Sequence, residues 1–300
     1  MRSLLKPAAK IILTLIFIAF LIYLIIKNLN AIKTYPWELN LSYLVPGFLM
    51  MIFSLTFFPV VWRGILSSLG IRIPLKKSIQ IYFIANVGRY IPGKIWQFVG
   101  RVYFLKKFDS IKVIWSMWIE TLLAVLSAIT CSFIFSFSSL NIIKHNRLYP
   151  ILALFLILIF FTLNPKLIQK LLTKITKSSV DINIPFLKMV LFFFSFLFIW
   201  IGVGTGFYLG LKGVNLSISW HDITGVYSLS WALGLLSIFS PGGIGIRESI
   251  ITVLLTEKTG GAGIAVVIAL FTRAFITLGE IFFLLISIVL ARFSIENVKA

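Results

Sequence analysis

Acidic residues are scarce in this chain. Nine Asp and Glu stand against 28 Lys and Arg in 300 residues, and charges of both signs together make up only 12%. Cysteine occurs once, as Cys131, and histidine twice, as His145 and His221. A single cysteine excludes an intrachain disulfide and any cysteine metal cluster. The two histidines fall in separate loops, so no His-based metal site is expected. No polar stretch is long enough for a soluble catalytic domain; the longest, roughly 164–188, reads as a loop. An Asp-rich motif or a His cluster for transferase chemistry is also missing. The reading is therefore no enzyme, no cofactor and no metal.

What is present is apolar. The chain is 59% hydrophobic with a mean hydropathy of +1.04, more apolar surface than a soluble domain of this size can bury. About 20 apolar residues in a helix cross the hydrocarbon of a bilayer. Such stretches fall at roughly 11–27, 41–62, 113–136, 148–163, 189–211 and 223–239, with a short one at 244–257 and a long one at 263–291. The expected fold class is all-α, a polytopic membrane helical bundle of about eight crossings. It forms a single integral membrane domain over 1–300. The N-terminal apolar run is followed by no small-residue cleavage site and reads as an uncleaved first span.

The excess of positive charge is topogenic, because basic loops stay on the cytoplasmic side. Anionic headgroups would add to that attraction. Nucleic acid is excluded as a partner, since the charges lie in short loops rather than in a compact basic domain. Arg2, Lys6 and Lys10 place the N-terminus on the inner side of a cell membrane. Arg63, Arg72, Lys76 and Lys77 form one later basic cluster, and Arg101, Lys106, Lys107 and Lys112 the next. Only one apolar segment separates these two clusters. If it crossed, one cluster would face outside. Residues 78–105 are therefore expected to enter and return on the same side, as a re-entrant hairpin turning at Pro92-Gly93; the alternative is a short ordinary hairpin in the interface.

A second break of the same kind lies almost half the chain away. The first reads Gly88-Arg89-Tyr90-Ile91-Pro92-Gly93-Lys94, then Trp96-Gln97 and Gly100-Arg101. The second reads Ser240-Pro241-Gly242-Gly243-Ile244-Gly245-Ile246-Arg247-Glu248. Each half, roughly 1–163 and 164–300, shows two spans, a Pro-Gly break and long apolar segments, the outline of an internal two-fold repeat. Broken backbone at membrane depth survives only inside protein or along a wet cavity. The breaks at Pro92, Gly93, Pro241, Gly242 and Gly243 are thus expected to line a polar path.

Charges inside apolar segments point the same way. Each would cost roughly 2.5–3.5 kcal/mol at the bilayer centre, so these groups must pair, reach water or snorkel. Arg89, Arg101, Arg247, Glu248 and Arg273 are the candidate contacts to substrate, with Trp96 and Gln97 beside the first break. Asn86, Glu120 and Glu280 are the candidate cavity or coupling groups. Arginine offers a bidentate fork to phosphate, and N–H groups freed after a break attract anions. Arg273 and Glu280 lie seven apart on one helix face, too far to pair directly but able to share a cavity. Gly202, Gly206 and Gly210 recur every four residues on one span, the spacing of close helix packing.

With these two motifs the chain resembles the lysylphosphatidylglycerol synthase transmembrane-region family of flippase-like membrane proteins. The resemblance covers nearly the whole chain. It implies lipid translocation between leaflets, with two re-entrant segments facing a central cavity. The aminoacyl-transferase domain that relatives such as the multiple peptide resistance factor carry is absent before Ala300. The expectation is a lipid flippase moving an anionic phospholipid, or a polyprenyl-phosphate or glycolipid cargo, through an arginine-lined cavity. The alternative is a non-transporting scaffold that presents lipid to a separate synthase or glycosyltransferase. A homo-oligomer is compatible with either.

Overall fold

A computed structural model of the chain describes residues 22–23, 26, 29–91, 95–136, 163–176, 184–237 and 240–296. All regular elements among the described residues are helical, and none is a strand. They are α1 (Leu29–Thr34), α2 (Leu41–Ser68), α3 (Leu75–Asn86), α4 (Trp96–Phe104), α5 (Ser110–Phe135), α6 (Pro165–Thr176), α7 (Phe186–Lys212), α8 (Trp220–Leu236), α9 (Ile246–Leu255) and α10 (Ala262–Glu296). Two short 3-10 turns, Val87–Tyr90 and Pro241–Gly243, sit at the two breaks.

Among the described residues, four helices are long and apolar enough to cross a membrane: α2, α5, α7 and α10 through Leu290. The stretch expected at 223–239 forms α8, whose 17 residues rise about 25 Å. The expected crossings at 11–27 and 148–163 lie outside the described residues, apart from three isolated positions and Leu163. The long stretch expected at 263–291 forms α10, one continuous helix of 35 residues. It contains no proline to break it, and Gly279 serves packing: a Cβ there would stand 2.8 Å from Met51 Cε.

Helix starts are encoded locally. Asn40 caps α2 by accepting the Ser42 N–H at 3.0 Å, and Asp109 caps α5 by accepting the Ile111 N–H at 2.8 Å. Ser219 caps α8, accepting the Asp222 N–H at 3.0 Å. Each satisfies one of the donors a helix start leaves open.

The scaffold is a close pairing of α2 with α7. A Cβ on Gly206 would lie 2.8 Å from the Gly47 carbonyl oxygen, and one on Gly47 would lie 2.7 Å from the Gly210 nitrogen. Backbones therefore touch where side chains would otherwise intervene. Helix α5 is tied to both. Trp62 on α2 donates its indole N–H to Ser116 Oγ at 3.0 Å, and Trp200 on α7 donates to Ser127 Oγ at 3.0 Å. These bonds satisfy buried polar groups that would have no partner in hydrocarbon.

Two helical hairpins lean on this scaffold. In one, α3 and α4 pack against each other on either side of the first break. In the other, α9 packs against α8 and α10. The two 3-10 turns touch each other, so both breaks meet at one place.

Candidate functional site

The first break folds tightly because Gly88 has no side chain. A Cβ there would lie 2.6 Å from the Gln97 nitrogen, so the start of α4 can cross directly over the 3-10 turn. Pro92 and Gly93 lie outside the described residues. At the second break Gly242, Gly243 and Gly245 have φ of 59°, 73° and 84°, left-handed backbone that favours glycine. Helix α9 begins there. Glu248, three residues past Gly245, reaches back to accept its N–H at 2.7 Å, half of a capping box.

Between the breaks lies a cavity with about 1010 Å³ of atom-free space, counting its open mouth. Asn86, Arg89, Gln97 and Arg101 line it from the first half, with Glu120 from α5. Gly242, Gly243, Arg247 and Glu280 line it from the second. Trp96 does not join them; it is 46% exposed and is not part of the cavity lining. Glu248 and Arg273 stand behind the lining rather than in it.

The charges are arranged in two groups. In the first, buried Arg101 pairs with buried Glu120. Tyr82 donates its hydroxyl to Glu120 Oε1 at 2.8 Å, and Arg101 donates to Asn86 Oδ1 at 3.4 Å. The guanidinium lies 4.1 Å from the Tyr82 ring centre and 4.7 Å from that of Trp62. This is a paired, aromatically walled charge, held by α2, α3, α4 and α5 together.

The second group joins the two halves through Tyr90. Its hydroxyl donates to Glu280 Oε2 at 2.6 Å, and Glu280 also pairs with Arg89. The Tyr90 ring packs on Gly242, where a Cβ would approach it to 3.0 Å. The guanidinium groups of Arg89 and Arg273 lie 5.3 and 5.7 Å from the ring centre. Arg273 donates to the Gly242 carbonyl at 3.2 Å and faces Glu248 at 3.7 Å. The seven-residue spacing of Arg273 and Glu280 thus sends each to a different carboxylate or arginine partner.

Arg247 differs from the rest. It is 7% exposed, and its Nε has no hydrogen-bond acceptor. It lies 5.9 Å from the Trp231 ring centre. Its stem passes Gly234 and Gly243, where a Cβ would lie 2.6 Å from its Cγ and 2.7 Å from its Nε respectively. Both glycines are therefore space for this one side chain. Among the described residues lining the cavity, Arg89 and Arg101 have carboxylate partners and Arg247 has none. The lining carries one positive charge more than it neutralises.

Sequence reasoning left out the aromatic members. Tyr90 stands inside the quoted motif, next to Arg89. Tyr82 lies one turn before Asn86 on the same face of α3. Tyr227, Trp231 and Gly234 recur at helical spacing on α8. That periodicity was available, but aromatic residues in a membrane span ordinarily read as packing or interface anchors.

These features define a multi-pass α-helical membrane protein with a buried cationic cavity at the junction of two broken helices. The chain belongs to the lysylphosphatidylglycerol synthase transmembrane-region family: the sequence model of that family matches residues 9–286. The match is to the membrane region, and no match to an aminoacyl-transferase domain accompanies it. Comparison with curated proteins finds no match.

Proposed function

We propose that this chain moves a lipid with an anionic headgroup between membrane leaflets, with the headgroup held in the cavity at Arg247. The supporting observation is that arginine itself. A charge removed from water with no counter-charge is strongly unfavourable, and its guanidinium is suited to a phosphate. A phosphate would neutralise the excess charge and use donors that the protein leaves unpaired. The cargo class is an anionic phospholipid or a lipid-linked polyprenyl phosphate or glycolipid.

In this reading the hairpins α3–α4 and α9–α10 are re-entrant elements of a bundle of about eight crossings. The N-terminus is cytoplasmic, and the two halves are related by an internal two-fold repeat. Arg89 and Arg101 are held by the carboxylates of Glu280 and Glu120. Either can add a second contact if its carboxylate yields. Glu280, exposed to the cavity, is the coupling group; Glu120 and Glu248 are committed to structural pairs.

The test is leaflet exchange in proteoliposomes. Fluorescent anionic and zwitterionic phospholipids and a polyprenyl phosphate are compared for wild type, Arg247→Ala and Arg247→Lys. Exchange of one anionic class, lost in Arg247→Ala and partly kept in Arg247→Lys, supports the proposal. Normal exchange by a well-folded Arg247→Ala variant refutes the role of Arg247. Absence of exchange for every cargo, with and without a proton gradient, refutes transport.

A further inference from the structure

A second, smaller pocket adjoins the cavity. It lies between the end of α3, the first break and α10, with Val87, Tyr90, Ile281 and Leu284 in its walls. Phe83, Asn86, Arg89 and Glu280 line both it and the central cavity. The two spaces are therefore separated by a thin wall, and the Arg89–Glu280 ion pair is its polar part. The two sides of that wall differ. Inward lie Arg247 and Gln97. Outward lie Val87 and Ile281, 44% and 47% exposed on the apolar exterior of the bundle.

An amphiphile has this division. Its charged end belongs with Arg247, and its hydrocarbon belongs against Val87, Ile281 and Leu284. We infer that the cleft between α3 and α10 is a lateral portal, that its occupant is the hydrocarbon tail of a phosphate-bearing lipid, and that the Arg89–Glu280–Tyr90 cluster is the gate across it. This rests on reading the cavity as a headgroup site.

The chemistry of the gate supports its opening by that ligand. Glu280 holds Arg89 and takes the Tyr90 hydroxyl at 2.6 Å. A phosphate competes with a carboxylate for the same guanidinium fork. When Arg89 turns to phosphate, Glu280 loses its ion pair and the wall between the two spaces loses its polar bridge. Both side chains are about one-fifth exposed, so the exchange does not require a fully buried charge to be uncovered. A soluble phosphate would make the polar exchange but would leave the apolar cleft unused.

The experiment uses the full chain in liposomes containing phosphatidylglycerol with a photoreactive diazirine near the end of one acyl chain. Adducts are mapped by mass spectrometry, alongside leaflet exchange. Wild type should give adducts concentrated at Phe83, Val87, Ile281 and Leu284. Arg247→Ala should lower them about tenfold, the scale of one lost charge-assisted hydrogen bond. Ile281→Trp fills the cleft from an exposed position that does not endanger folding, and it should abolish these adducts. It should leave binding of glycerol 3-phosphate to the cavity, measured by calorimetry in detergent, unchanged. Glu280→Gln, which frees Arg89 without changing shape, should raise the adduct yield.

Adducts spread evenly over lipid-facing helices, or unaffected by Ile281→Trp, overturn the portal. If exchange is nevertheless normal, the transport reading stands without it. Portal adducts in a protein that shows no exchange keep the portal and overturn transport.

Discussion

Removing the carboxylate of Glu120 separates structural charge from functional charge in this cavity. Glu120 and Arg101 are each 5% exposed. Deleting one partner of a buried ion pair destabilises by about 3–5 kcal/mol, because the other charge stays buried. In Glu120→Ala the Tyr82 hydroxyl also loses its acceptor, adding roughly 1 kcal/mol. The guanidinium contacts to the Trp62 and Tyr82 rings and to Asn86 are present in wild type and variant alike and cancel. The expected net loss is about 4–6 kcal/mol, a change on the order of a thousandfold or more in the folding equilibrium.

Replacing both groups changes the outcome. Glu120→Leu with Arg101→Met removes both charges and keeps the volume. Such apolar replacements of buried pairs are often neutral or mildly stabilising. The double variant should therefore be more stable than Glu120→Ala, with a coupling energy of about 2–3 kcal/mol. The assay is unfolding in mixed micelles on titration with a denaturing detergent, followed by tryptophan fluorescence. A double variant that loses as much as the two single variants combined would refute the reasoning. The two residues would then act separately.

Three further outcomes are expected. Gly206→Ala places a Cβ 2.8 Å from the Gly47 carbonyl and should destabilise by about 1–3 kcal/mol through overpacking, read as a lower melting temperature in detergent. Gly242→Ala puts a side chain on backbone at φ 59° and against the Tyr90 ring. It should destabilise by about 1–2 kcal/mol and slow leaflet exchange beyond what the stability loss explains. Cys131 is fully buried on α5, so a water-soluble maleimide should leave folded protein unlabelled and react only after denaturation in SDS. Labelling of the native protein would contradict the placement of this face.

The membrane class, the long apolar helices and the family were all legible from the sequence. So was the presence of charges that had to find partners. Which partners they found was not. Arg273 and Glu280 lie seven apart on one helix, and nothing local says that Glu280 meets Arg89 from the other half of the chain. Arg247 and Glu248 are adjacent, yet one caps a helix start with its carboxylate while the other is left without a counter-charge. Such pairings depend on how distant helices pack, and helix packing is set by glycines such as Gly47 and Gly234, whose role is the space they leave. Trp96 follows the first break in sequence, yet it is 46% exposed and outside the cavity lining, while its neighbour Gln97 lines it.

The glycine contacts between α2 and α7 also bear on motion. Where backbones touch, a small displacement meets hard repulsion at once, with no flexible side chain to absorb it. In the proposed transport, α2 and α7, with α5 fastened to both through Trp62 and Trp200, would be the fixed frame. The α3–α4 hairpin and α9 are short elements that flank the breaks, and the Tyr90 cluster couples them. The side expected to give way is the one where both breaks meet at Tyr90, not the glycine-packed frame.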